Sequence, residues 1–174
     1  LVRFSEFDSG LYPNRISPNS AIPASSVGTM LEAPSTGKLN NPDPSLDFDS
    51  ITTLADAAKT LEKAVSRSNN AELAIGCLKC INRFCNDNAT NQEAFFNEPS
   101  ALTNLMDVLT SHANNALVME QGFYLLFNLA NCKNETREKL SKTEIFNITV
   151  KALTANFDKN AKVCEYGCTL VTNI

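Results

Sequence analysis

The chain has 174 residues, enough for one ordinary domain or a short repeat array. Apolar residues make up 43% and charged residues 20%, so a buried core is within reach, while no apolar run approaches the ~20 residues that cross a bilayer. Fifteen basic against nineteen acidic side chains leave a net charge of -4, the wrong sign for a generic binder of phosphate backbones, so neither a membrane span nor a nucleic-acid partner is expected.

Six of the seven prolines, Pro13, Pro18, Pro23, Pro34, Pro42 and Pro44, fall in the first fifty residues among many Ser, Asn and Thr. Residues 1–49 therefore read as an irregular, Pro/Ser/Asn-rich linker or disordered segment, interrupted by two apolar islands, Leu1 to Phe7 and Ala21 to Leu31. From Ser50 onward only Pro99 remains and Ala, Leu, Glu, Lys and Gln dominate, which places the folded part at residues 50–174. A helix is expected over Ile51 to Ser66, then a longer one over Glu72 to Asn86 after the turn signal Asn69-Asn70. Next come a short helical piece over Asn91 to Glu98, a middle helix carrying Leu102, Leu105, Val108 and Leu109, and a long helix after Asn114-Asn115. The order repeats with Glu135 to Ser141, a helix carrying Phe146, Val150 and Leu153, and a last helix after Lys159-Asn160.

The three glycines of the folded part, Gly76, Gly122 and Gly167, are 46 and 45 residues apart, and a residue costly in helices at equal spacing asks for a repeat. Their windows superpose as GCLKCIN, GFYLLFN and GCTLVTN, each a Gly, five residues and an Asn. Relative to those Asn residues, Leu73, Cys77 and Cys80, then Met119, Phe123 and Leu126, then Cys164, Cys168 and Val171, fall on one helical face in common register. Asn82, Asn128 and Asn173 fall off that stripe. The repeats run over about 50–87, 88–132 and 133–174, the last truncated, and the chain is expected to be a fragment of a longer array.

Three helices over about 45 residues match the period of armadillo units, and MEQGFYLLFNLA, Met119 to Ala130, resembles the third-helix signature of armadillo repeats. HANNALVMEQGF and KNAKVCEYGC resemble the armadillo arrays of large scaffold proteins and of the region beside leucine-rich-repeat kinases. The resemblance implies an all-α, right-handed α-solenoid of about three armadillo-like repeats. It also implies a non-enzymatic scaffold that binds a partner protein or peptide segment along its concave face. The alternative it leaves open is the regulatory armadillo region of a larger signalling enzyme, with a kinase or small GTPase as partner. In armadillo families that grip extended peptides, the third-helix Asn residues line the groove, and by resemblance these are Asn82, Asn128 and Asn173. The chain departs from importin-α, which carries Trp four residues before the Asn, by having Leu78, Tyr124 and Thr169 there and no Trp anywhere, which disfavours a nuclear-localisation-signal receptor.

An amide side chain offers both a donor and an acceptor to a peptide main chain, but the same amide also serves a hydrogen bond between neighbouring repeats, and both readings stay open. Glu120 and Glu165, eight residues before their Asn where the first copy has Ala74, either bias the groove toward a basic partner or are solvated helix residues. Tyr124, with Leu117 and Phe127, is left over from the main stripe and is expected to pack on an adjacent repeat or to line the concave face.

No catalytic, cofactor or metal site is expected. Cys77-x-x-Cys80 and Cys164-x-x-x-Cys168 have spacings that invite zinc or a redox role, but the register assigns these sulfurs to core positions. His112, the single histidine, stands at the end of a middle helix, where an imidazole caps carbonyls and meets the negative end of the helix dipole. The chain opens without a basic segment followed by an apolar one, and its cysteines sit in helical patterns, so a reducing, intracellular setting is expected, cytoplasmic or nuclear. Glycosylation-type triplets at Asn88, Asn134 and Asn147 matter only after secretion.

Overall fold

The computed structural model describes residues 47–174; the islands Leu1 to Phe7 and Ala21 to Leu31, and most of the stretch read as linker, lie outside the described residues. Among the described residues the fold is all-α, with eight α-helices and no strand. In chain order these are α1 (Leu54–Ser66), α2 (Ala71–Cys85), α3 (Ala89–Asn97), α4 (Ala101–Ser111), α5 (Ala116–Ala130), α6 (Asn134–Ser141), α7 (Ile145–Asn156) and α8 (Ala161–Asn173). Among the described residues no helix is long and apolar enough to cross a membrane.

Local chemistry sets the starts of the long helices. Asn70, Asn115 and Asn160 are N-caps whose side-chain oxygens accept from the first free backbone N–H groups of α2, α5 and α8, contacts that stabilise each helix by about 0.5–2 kcal/mol. The first helix uses a different device: Thr53 Oγ1 accepts from the Asp56 N–H at 3.2 Å while its hydroxyl donates to the Asp56 carboxylate at 2.6 Å.

The long helices lie side by side, α5 packing on α2 along one flank and on α8 along the other. Behind them α4 packs on α1 and, less extensively, on α7. Paired residues of α2 and α5 are separated by a nearly constant sequence distance, 39 for Asn82 and Gln121 and 38 for Asn86 and Tyr124. The same holds for α5 and α8, with 40 for Glu120 and Asn160 and 42 for Asn131 and Asn173. A constant difference means that the three helices run in the same direction, since antiparallel neighbours would instead keep a constant sum. Helices that run parallel need a return path, which α3–α4 and α6–α7 provide.

The core lies between these rows and is densest around α5, where twelve of fifteen residues are buried, against four of thirteen in α8. Leu73, Leu78, Ile81, Leu105, Leu109, Met119, Phe123, Leu125 and Leu126 are fully enclosed. The equally spaced glycines mark close approaches: a Cβ on Gly122 would run into the Leu109 side chain of α4, and one on Gly167 would stand 3.0 Å from Phe123 and 3.1 Å from Leu153 of α7. At Gly76 the approaching group is the Phe48 ring. Phe48 belongs to a single 3-10 turn, Phe48–Ser50, within the stretch read as linker, and is 2% exposed. It lies 47 residues before Phe95 of α3, which lies 45 before Leu140 of α6; both are fully buried. A short turn ahead of α1 thus buries an aromatic as α3 and α6 bury Phe95 and Leu140, where the sequence shows no short helix.

Two expectations are corrected. Cys168 and Cys164, assigned to the core by register, are exposed and half-buried, and Val171 is 38% exposed, because no helix covers the flank of α8 away from α5 among the described residues. His112 occupies the C-cap position of α4, but its imidazole is buried, its Nε2 has no hydrogen-bond partner, and desolvation pushes its pKa down. It is therefore a neutral core group and brings no positive charge to the helix end.

Candidate partner-binding face

The flanks of α5 are covered by α2 and α8 and its back by α4, which leaves one strip between the two neighbouring long helices. Glu120, Tyr124 and Asn128 follow one another along that strip at four-residue steps, with Leu117 and Phe127 beside them. Leu117 is 57% exposed and Phe127 half-buried, so the strip is open to solvent at its apolar members. The polar members are recessed: Glu120, Tyr124 and Asn128 are 9%, 5% and 8% exposed.

Two of the recessed groups, Glu120 and Tyr124, are held by neighbouring helices. The carboxylate of Glu120 accepts a hydrogen bond from Asn160 Nδ2 at 2.9 Å, and Lys162 Nζ stands 4.0 Å away. Asn160 thereby uses both ends of its amide, the oxygen to cap α8 and the nitrogen to hold Glu120. The Tyr124 hydroxyl donates to Asn86 Oδ1 at the end of α2, and its ring lies 5.4 Å from that of Tyr166 on α8, tilted by 48°. Burial pushes the Tyr124 phenol above its ordinary pKa. Tyr166 is pushed up to about 12 by burial, with Glu165, Tyr124 and Glu120 adding to the effect. Both phenols are held in the neutral form across the physiological range.

The Asn residues are not equivalent. Asn82 is 5% exposed and donates from Nδ2 to the Gln121 carbonyl at 2.9 Å, a bond from one long helix to the next, while its Oδ1 is buried without a partner. Asn128 has the opposite deficit, a buried Nδ2 with no hydrogen-bond partner. Asn173, half-buried, donates to Asn131 Oδ1 at the end of α5 at 3.3 Å. Two of the three amides therefore make the bond between adjacent helices. Of the two acids, Glu165 is exposed, whereas Glu120 is nearly enclosed and already paired. Asn86, Gln121 and Asn160 complete the arrangement; the sequence marks Asn160 as part of a turn signal and gives none of the three a role at this face. Each sits at a helix end or beside a glycine, where its partner belongs to another helix and no local spacing reveals it.

The three buried cysteines of α2 are poorly suited as nucleophiles. Burial pushes the Cys77 thiol up to about 11 and the Cys85 thiol to about 12, and Cys80 is raised for the same reason, the opposite of what a thiolate nucleophile needs. Among the described residues no group of three or more His, Cys, Asp or Glu side chains converges. Compared with protein-family models, with curated proteins and with solved structures, the chain shows no match.

Proposed function

We propose that residues 50–174 form a right-handed α-solenoid of three armadillo-type units, and that the strip along α5, between α2 and α8, binds an extended segment of a partner protein without catalysis. The parallel run of α2, α5 and α8, their Asn caps at residues 70, 115 and 160, and the glycine spacing of 46 and 45 residues all support a unit copied along the chain. The observation that carries the binding reading is the complementary pair of unmet groups, an acceptor on Asn82 and a donor on Asn128. Buried polar groups without partners cost about 1–3 kcal/mol each, so a side-chain turn that brings these two amides to a peptide N–H and C=O would recover that cost irrespective of peptide sequence. Leu117 and Phe127 supply apolar contact beside them, and the exposed Glu165 favours a basic residue at the α8 side. Six unpaired cysteines, three of them buried, fit a reducing, cytoplasmic or nuclear setting.

The test is selection of short unstructured peptides against the whole chain, followed by titration of the best binder. The double substitution Asn82→Ala and Asn128→Ala is expected to weaken binding at least about tenfold, the equivalent of ~1.4 kcal/mol, with helicity by circular dichroism preserved. Failure to select any peptide, or equal affinity in the double variant, overturns the reading.

A further inference from the structure

The buried residues ahead of α1, α4 and α7 are not fastened alike. Phe95 and Leu140 are carried by helices of nine and eight residues, α3 and α6, whereas Phe48 is carried by a turn of three, Phe48–Ser50. Around that turn only the ring is buried: Asp47, Asp49 and Ser50 are exposed and Ile51 is half-buried. It is tied to α2 by the ring over Gly76 and by the Arg83 guanidinium, whose Nη2 donates to the Ile51 carbonyl at 2.8 Å and the Phe48 carbonyl at 3.2 Å. The Asp49 carboxylate stands 4.0 Å from Nη1 of the same side chain. Cys80 lies beside these contacts, its Sγ 3.8 Å from Arg83 Nη2, and its thiol is pushed up by burial, with Arg83 opposing and Asp49 adding to the effect.

The seat exists because α1 leaves it open. Over Gly122 the space is taken by Leu109 of α4, three residues before the C-cap His112; three residues before the C-cap of α1, Arg67, stands Ala64, a methyl in place of an isobutyl group. The nearest atoms over Gly76 accordingly all belong to the Phe48 ring, an insert from outside the helices. The slot is floored by a glycine and has a cation at its rim, Arg83, whose side chain is 45% exposed. Such a slot takes a flat ring, and the guanidinium beside it takes main-chain carbonyls and a carboxylate.

We infer that the slot over Gly76 is a docking site for a partner-protein segment in which an aromatic residue is followed by an acidic one, and that the chain's own Phe48 turn occupies it as a stand-in. The site is separate from the strip along α5 and does not rest on that reading. The partner's ring replaces Phe48 over Gly76, its carbonyls replace those of Phe48 and Ile51 on Arg83, and its carboxylate replaces that of Asp49. Release of the turn exposes one ring and two hydrogen bonds at a half-exposed cation, far less than the unfolding of a helix, so it opens locally while α1 and α2 stay packed. Self-occupancy and partner binding exclude each other, so the seated turn lowers the affinity for a partner by the fraction of molecules in which the slot is free.

The probe is a fluorescent peptide with the sequence of residues 47–53, DFDSITT, blocked at both ends and titrated against the whole chain carrying Phe48→Ala. It is expected to bind that variant at least about tenfold more tightly than it binds the unsubstituted chain, whose slot is filled. Phe48→Ala within the peptide is expected to weaken binding at least about tenfold, and Asp49→Asn within it about threefold. Gly76→Ala added to the Phe48→Ala chain raises helix propensity and puts a methyl where the ring lies, and is expected to abolish uptake with helicity preserved. The unsubstituted chain supplies a readout that does not depend on how a variant folds. There a thiol reagent is expected to modify Cys80 at least about tenfold faster than Cys85, since release of the turn frees Cys80 and only unfolding frees Cys85. No uptake by the folded Phe48→Ala chain, equal affinity for the unsubstituted chain, binding indifferent to the peptide's Phe48 or to Gly76→Ala, or one modification rate for Cys80 and Cys85 each overturns the inference. So does a dimer of the unsubstituted chain that excess peptide dissolves, which would make a second copy the occupant.

Discussion

The α1/α2 end and the α7/α8 end of the fold differ at positions that correspond by spacing. At the first, Glu72, Lys79 and Arg83 face water where α5 buries Val118, Leu125 and Leu129; at the second, Cys164, Cys168 and Val171 face water where α5 buries Met119, Phe123 and Leu126. Among the described helices the outward flank of α1/α2 is polar and that of α7/α8 is apolar. Whether a residue is core or surface is thus decided by whether another helix lies against it, and the same register position answers differently along one chain.

The comparison is broken most forcefully at Phe123 and Cys168, one position in two settings. Phe123→Ala is expected to cost about 3–5 kcal/mol, as for other fully buried aromatics, whereas Cys168→Ala is expected to change stability by less than about 0.5 kcal/mol. Urea unfolding of both variants under one set of conditions measures the difference, and equal losses would sink the assignment of Cys168 to an open flank.

Cysteine chemistry sharpens the same contrast through pH. Cys77 and Cys85 are raised by burial from the ordinary 9.0 to about 11 and about 12, so the folded state holds protons that the unfolded state releases. Their contribution is fully present below pH 9 and is lost as pH rises toward 11 to 12. A decline on the order of a few kcal/mol is expected over that window, read by chemical denaturation at stepped pH. At pH 8 a thiol reagent should modify Cys168 rapidly and leave Cys77 and Cys85 silent until the chain unfolds. Rapid loss of all the thiols in the folded protein would contradict the burial of α2.

Much of this was legible before any coordinates. Periodicity placed every helix to within a few residues, and Asn69-Asn70, Asn114-Asn115 and Lys159-Asn160 fell at the starts of α2, α5 and α8 because capping is local chemistry. The common register of the glycine windows gave the stripe that α5 buries. The same register could not say that α8 lacks a further neighbour, since the residues of α8 are apolar either way. Nor could it say that Asn82 turns its amide to Gln121, a partner 39 residues away. Phe48 was hidden for a related reason: a lone aromatic in a Pro- and Ser-rich stretch has no period, and its partner Gly76 lies on another element.

A smaller effect is expected at the glycines. Gly122→Ala gains about 1 kcal/mol of helix propensity but presses a methyl onto the enclosed Leu109 side chain, and overpacking of this kind costs about 1–3 kcal/mol. A net loss of about 1 kcal/mol is expected there. At Gly167 the added carbon would meet Phe123 and Leu153 at 3.0 and 3.1 Å, contacts that a few tenths of an ångström relieve, and half-buried Leu153 has room to yield. Gly167→Ala should therefore be neutral or slightly stabilising, and an equal loss at both sites would show that α8 is packed as tightly as α5.

The subtlest change is Arg83→Met, which alters the closed end alone. The guanidinium is 45% exposed, so its hydrogen bonds to the Phe48 and Ile51 carbonyls and its 4.0 Å approach to Asp49 are screened, and the loss on unfolding is expected to be about 1 kcal/mol or less. The larger consequence lies in association. Methionine at this position matches the apolar character of Leu129, 46 residues later, and removes the one cation that both seals α2 and fastens Phe48 over Gly76. The polar end then comes to resemble the apolar one, and contacts between unlike ends, which do not close on themselves, become available. Sedimentation of Arg83→Met should show more self-association than the unsubstituted chain at the same concentration, and an unchanged distribution would mean that Glu72 and Lys79 keep the end closed without it.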